Sequence, residues 1–157
     1  MKIKIGYLYH IKDNFFNLVD DNKLMQNYEN GHTRPTYYAA KIDGTLWFVP
    51  LSSRIEKYKN ILAKRKKHNY CETIIVSEIF GTEQAILLQN AFPCIEKFVA
   101  HVHNIDGVEI QAINSLKVRI DKNLRRMLRL KTHGINLFMS DIDRIKDIII
   151  NELVQKV

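Results

Sequence analysis

The segment from Arg34 to Lys57, RPTYYAAKIDGTLWFVPLSSRIEK, constrains the fold more than any other part of the chain. Tyr37–Ile42 and Thr45–Leu51 read as two strands, and Asp43-Gly44 between them supplies the positive φ angles of a two-residue hairpin turn. Pro50 has no N–H to donate, so the sheet ladder is expected to stop there. Ser53 then precedes an amphipathic run with Glu56 at its third helical position, a capping-box spacing that predicts a helix from Arg54. Two hydroxyls, Ser52 and Ser53, would therefore sit at a helix N-terminus, where free N–H groups and the positive dipole end favour anions. Arg34 enters from the other side of the hairpin, and Arg54 and Lys57 follow the serines. A phosphate suits that company. Taken alone, the same pattern also describes an ordinary helix cap flanked by solvated charges.

The remaining chain supplies layers around this hairpin. Its 157 residues suit one domain, 1–157, with a real core, and 46% hydrophobic content belongs to a soluble globular protein. Lys2–Tyr9 alternates at period two and predicts a strand; Ile11–Leu24 has helical spacing; Gln26–Pro35 reads as a polar loop broken by Gly31 and Pro35. That loop would bring His32 and Arg34 to the mouth of the hairpin. A helix is expected to run from Arg54 to about His68, then strands at Glu72–Phe80 and Ala85–Leu88. Cys94–His103 fits a short helix or a strand, and Asp106-Gly107 a turn. Ala112–Leu130 reads as a helix, Ile135–Met139 as a short strand, and Ser140 as the cap of a last helix to about Lys156. Short strands, a hairpin and helices in runs predict an α+β fold around an antiparallel, barrel-like β-sheet with flanking helices.

Charge narrows the partners. Lysines and arginines exceed acids to give +7, which suits a polyanion. The first long helix ends in Lys64, Arg65, Lys66 and Lys67, a block that suits either a helix dipole or an RNA backbone. Lys122, Arg125, Arg126 and Arg129 crowd one side of the Ala112–Leu130 helix, with Asp121 against them. Gln89 and Asn90, before Phe92-Pro93, either pin a loop or read a base. Met1-Lys2-Ile3-Lys4 builds no signal-peptide core and no apolar run reaches membrane length, so a cytoplasmic protein without a membrane partner is expected. Cys71 and Cys94 lack metal-ligand spacing, and neither a metal nor a cofactor is expected. Phosphate-loop, dinucleotide, HExxH and GxSxG motifs are absent from the sequence.

Arg34-Pro35, the run Trp47-Phe48-Val49-Pro50-Leu51-Ser52-Ser53 and Lys57-Tyr58, followed by Ile86-Leu87-Leu88-Gln89-Asn90-Ala91-Phe92-Pro93-Cys94-Ile95-Glu96, together resemble the type III toxin–antitoxin endoribonucleases, the ToxN/AbiQ group, with the CptN branch nearest. The resemblance implies a barrel-like core related to the Kid/MazF toxins and sequence-specific, metal-independent cleavage of cellular or phage RNA. It further implies inhibition by a small repeated pseudoknot RNA and a multimeric protein–RNA complex. Ser53, Ser52 and Arg34 are the site residues it carries over. Where the ToxN branch has a lysine almost directly after the serine, this chain has Arg54 adjacent and Lys57 a turn later, so both cations stand as candidates. RNA brings its own nucleophile, the 2′-OH, and cleavage would leave a 2′,3′-cyclic phosphate and a 5′-OH. His32 and a lysine are the candidate general bases. The same basic faces also fit a non-catalytic RNA-binding module or, without RNA, a protein-binding domain.

Overall fold

The structure, a computed structural model, describes residues 2–65 and 71–155. From the N-terminus come β1 (Leu8–Ile11), α1 (Asp13–Val19), β2 (Tyr28–Glu29), β3 (His32–Thr33), β4 (Thr36–Ile42), β5 (Thr45–Ser52) and α2 (Ile55–Lys64). Then follow β6 (Ile75–Ile79), β7 (Thr82–Ile86), β8 (Phe92–Cys94), β9 (Val99–Val102), β10 (Asn104–Ile105), β11 (Val108–Glu109), α3 (Asn114–Thr132) and α4 (Ile142–Val154). The main sheet has seven strands in the order β6-β7-β5-β4-β1-β9, with β8 on β5, and its pairs are antiparallel. The fold is α+β, as expected. The sheet is open, with β6 and β9 at its two ends.

The β4–β5 hairpin lies at the centre. Asp43 and Gly44 take φ of 50° and 81°, the left-handed pair whose twist matches the flanking strands. Period two then sorts β5 between two layers. Trp47, Val49 and Leu51 face Leu116, Ile120, Leu124 and Met127 of α3. Phe48 faces the other way, in one cluster with Phe15 and Val19 of α1 and Ile145 and Ile149 of α4. Phe48 and Val49 are fully buried, and burial of such side chains contributes about 1.5–3 kcal/mol each.

Pro50 does not end the ladder: β5 continues to Ser52, and Pro50 stands opposite Thr36. Its carbonyl accepts from Leu87 N–H, so its nitrogen points to the same edge of the strand. On that edge the partner changes from β8, opposite Leu46–Phe48, to β7, opposite Leu51 and Ser52. The missing donor falls in the gap between them.

Other boundaries moved for local reasons. The first strand is Leu8–Ile11, not Lys2–Tyr9; Gly6 at φ 93° turns the chain before it. α1 stops at Asp20, which takes a left-handed φ of 44°, so the helix is much shorter than Ile11–Leu24. Ile135–Met139 forms no strand: Phe138 is buried in the core and Met139 N–H reaches Gln89 O, without a ladder. α4 is capped by the Asp141 side chain, which accepts from Arg144 N–H, while Ser140 is buried with no partner for its hydroxyl. Among the described residues, no helix is long and apolar enough to cross a membrane.

Candidate active site

The stretch before β4 is not a featureless loop. Asn30 and Gly31 take φ of 54° and 80°, closing a second two-residue hairpin in which Glu29 stands opposite His32. This small hairpin folds across the end of β5 and delivers Glu29 to the serines.

Four donors converge on its carboxylate. Arg34 Nη1 donates to Oε2 at 2.6 Å and Ser52 Oγ at 3.2 Å; Ser53 N–H donates to Oε1 at 3.0 Å, joined by the Ser53 hydroxyl. Arg34 is 7% exposed, and its fork is planted by Nε on Gln26 O at 3.0 Å and Nη1 on Leu51 O at 2.7 Å. Ser52 is equally hidden, whereas Ser53 is exposed. The Oε2 side of Glu29 is thus anchored in the protein and the Oε1 side faces water. Burial of the carboxylate opposes its ionisation, but the two hydrogen bonds from Ser53 and the Arg34 guanidinium outweigh it and hold Glu29 below the ordinary glutamate range.

The expected capping box does not form. α2 begins at Ile55, Arg54 holds the cap position without a side-chain bond, and the Ser53 hydroxyl turns to Glu29. Ser52 takes the helix-facing part instead, accepting from Arg54 N–H at 3.2 Å. The Ser53 hydroxyl donates its proton to the ionised Glu29, a bond roughly twice as strong as the neutral one a capping oxygen would accept from a helix N–H, and the side chain turns to the stronger partner.

A cavity of about 560 Å³ opens beside this cluster, lined by Gln26, Tyr28, Glu29, Arg34, Ser52, Arg54, Lys57 and Tyr58 among others. Both candidate cations therefore reach it, Lys57 with its Nζ 5.3 Å from the centre of the Tyr58 ring. Burial pushes the Tyr58 phenol up, against the pull of Arg34 and Arg54. His32 is exposed and does not line the cavity. So Arg34, Ser52, Arg54 and Lys57 line the cavity and Ser53 joins them through its two bonds to Glu29, while His32, opposite Glu29 in the small hairpin, is exposed and outside the lining.

The other basic residues form a second place. A groove of about 820 Å³ between the end of α2, β6 and α3 is lined by Arg65, Arg119, Lys122, Asn123 and Arg126 with Glu72 and Thr73. Arg65 donates to Thr73 Oγ1 at 2.6 Å and Gln89 Oε1 at 3.0 Å, so Gln89 is pinned, and Asn90 is buried. Arg119 pairs with Glu72, and Arg125 with Asp121 one helical turn away. Lys64 and Arg129 are exposed. Lys66 and Lys67 lie outside the described residues.

Two features escaped sequence reasoning. Glu29 is one, and Asn30-Gly31 was its available signal. The other is an imidazole cluster at the β1–β9 pair. His10 and His101 stack at 4.7 Å, His10 Nε2 meets His103 Nδ1 at 2.8 Å, and Thr33 Oγ1 meets His10 Nδ1 at 2.7 Å. The pairing of β1 with β9 sets His10 opposite His101, and His103 N–H on Leu8 O brings in the third.

No family model and no curated protein sequence matches the chain. Solved structures do. The lactococcal anti-phage endoribonuclease AbiQ, of a type III toxin–antitoxin system, superposes with a TM-score of 0.70 over 98% of this chain and 100% of its own, at 15% identity. The chain has the AbiQ fold. A chain from a bacterial antiviral system regulated by a processed non-coding RNA shares it, with a TM-score of 0.67 and 16% identity over 90% of this chain and 95% of that one. So does one from a type III toxin–antitoxin system whose toxin is selectively inhibited by a non-coding RNA pseudoknot, at 0.65 and 16% over 92% and 95%. The AbiQ fold therefore extends along nearly all of the present sequence.

Proposed function

We propose that this chain is a metal-independent endoribonuclease toxin of a type III toxin–antitoxin system, a single catalytic domain held in check by a repeated pseudoknot RNA. The convergence of Arg34, Ser52 and Ser53 donors on one anion position, with Arg54 and Lys57 beside it, carries the reading. The AbiQ fold supports it.

Preorganised donors of this kind suit a scissile phosphate, whose charge grows as a phosphorane forms. Ser53 N–H and Oγ–H exchange Glu29 for a phosphate oxygen, while buried Arg34 keeps its place and adds positive potential. Arg54 and Lys57 neutralise the remaining charge from the cavity wall. The 2′-OH attacks in line, the bond from phosphorus to the 5′ oxygen breaks, and a 2′,3′-cyclic phosphate and a 5′-OH result. The groove of Arg65, Arg119, Lys122 and Arg126 holds flanking RNA by its backbone.

An enzyme of this kind would attack the messages of its own cytoplasm. A folded RNA that binds the same cations while denying its 2′-OH the in-line geometry is a suitable inhibitor. Coexpression with a type III pseudoknot repeat RNA, followed by growth assays and sizing of the purified protein, tests this. Toxicity without the RNA, rescue with it and a multimeric protein–RNA particle are expected. Harmless wild-type protein, or neutralisation by a protein partner, would overturn the reading.

A further inference from the structure

We infer that Glu29 is the general base of this cleavage, taking the 2′-OH proton on Oε1 while Oε2 stays bound to Arg34. The inference rests on the endoribonuclease reading and adds the group that it lacks.

Cleavage by the 2′-OH needs a proton acceptor within hydrogen-bond reach of the phosphate cradle. Among the residues lining the cavity, Glu29 alone carries a carboxylate; Arg34, Arg54 and Lys57 are cations, and burial or hydrogen bonding pushes the phenols of Tyr58 and Tyr28 up. His32, the candidate from the sequence, stands opposite Glu29 in the small hairpin and outside the lining; Ser53 is outside the lining too, but both of its donors end on Glu29 Oε1.

The two carboxylate oxygens are not equivalent. Oε2 is tied to Arg34 and Ser52, both buried and both fixed to backbone, Arg34 on Leu51 O and Ser52 on Arg54 N–H. Oε1 is held by exposed Ser53. When a phosphate oxygen takes the Ser53 donors, Oε1 is released beside the phosphate and Oε2 does not move. A carboxylate so anchored is oriented before substrate arrives, and Arg34 is shared between base and phosphate.

Proton and bond changes balance without another reactant. The O2′–H proton passes to Glu29 Oε1 as the O2′–P bond forms. The P–O5′ bond breaks, its electron pair stays on O5′, and O5′ takes a proton from water. Glu29 returns its proton to solvent, so the net change is a proton moved from O2′ to O5′.

The test compares wild type, Glu29→Gln and Glu29→Asp on one RNA that wild type cuts, and on the same RNA with a 2′-deoxyribose at the cut. Glu29→Gln should slow cleavage by about 10²–10⁴, lose the acid limb of the pH–rate profile, and bind the deoxy RNA at least as tightly as wild type. Glu29→Asp should regain part of the rate and show the limb again. If Glu29→Gln does not fold, Glu29→Asp decides: a slowed rate with an acid limb supports the base, and an unchanged rate opposes it. Cleavage by Glu29→Gln at the wild-type rate or faster makes Glu29 a mere occupant of the phosphate cradle and overturns this inference alone. A wild type that cuts no RNA overturns the enzyme reading and this inference with it.

Discussion

Ser53 meets Glu29 across 24 residues of sequence, giving it both the backbone N–H, at 3.0 Å, and the side-chain hydroxyl. One residue thus offers two donors to one oxygen, and neither is engaged in starting the helix that follows. Ser53 is therefore placed to hold an anion, and the energetics of its removal separate that role from structure.

Ser53→Ala should lose RNA cleavage by about 10²–10³, the usual cost of a donor that stabilises transition-state charge. Its stability should change little, because the lost hydrogen bond is exposed and the N–H remains. A loss of about 1 kcal/mol corresponds to roughly 2–4 °C at this size. Steady-state cleavage and a melting curve on the same preparation check both. Full activity with a large drop in melting temperature would make Ser53 structural.

Arg34 carries the opposite balance. It is buried, pairs with Glu29 and bonds two backbone carbonyls. Arg34→Met should destabilise the fold by about 3–5 kcal/mol, since it strands a shielded carboxylate and those carbonyls. Combining it with Glu29→Gln should recover part of the loss, because no unpaired charge then remains. Urea denaturation of the three variants measures the coupling; strict additivity would show that the pair is not energetically linked.

Much of this arrangement was legible in the sequence, and the failures have physical causes. The β4–β5 hairpin is written in local terms: alternation on both strands and Asp43-Gly44 between them. Arg34, Ser52, Ser53, Arg54 and Lys57 flank it and therefore converge. Glu29 escapes because β2 and β3 are two residues each, too short to show alternation, so Gly31 reads as a loop breaker and not as part of a hairpin turn. Ser-x-x-Glu spacing describes a helix cap only while no charged partner draws the serine side chain away from the helix N–H groups, and Glu29 is that partner. The three histidines escaped because Cys94–His103 fits helix and strand alike until its partner β1 is known.

That histidine cluster sets a pH dependence. Burial, and then the neighbouring imidazoles of His103 and His101, hold His10 down to about 4 from its ordinary 6.5. His103 is lowered too, by burial and by His101. The unfolded chain therefore binds more protons between these values, and stability falls as pH drops from 6.5 towards 4. It is fully present above 6.5. For His10 the loss is on the order of 3 kcal/mol. Denaturation midpoints from pH 7.5 to 4 should show this slope for wild type and a shallower one for His10→Gln; identical slopes would remove His10 from the account.

The groove on α3 makes a separate electrostatic claim. RNA affinity should fall with salt by about 0.7 in logarithmic slope for each phosphate neutralised on a single strand. Lys122→Gln together with Arg126→Gln should flatten that slope and weaken binding across unrelated sequences. An unchanged slope would make this helix face merely solvated.

On the proposed function, the Arg34–Ser53 cradle would cleave RNA through the RNA's own 2′-OH. The direct measurement incubates pure protein with RNA in EDTA and reads the ends of the fragments. Wild type should give 2′,3′-cyclic phosphate and 5′-OH termini, and Ser53→Ala should give almost none. RNA retained intact by a well-folded wild type, or fragments bearing 5′-phosphate, would contradict it.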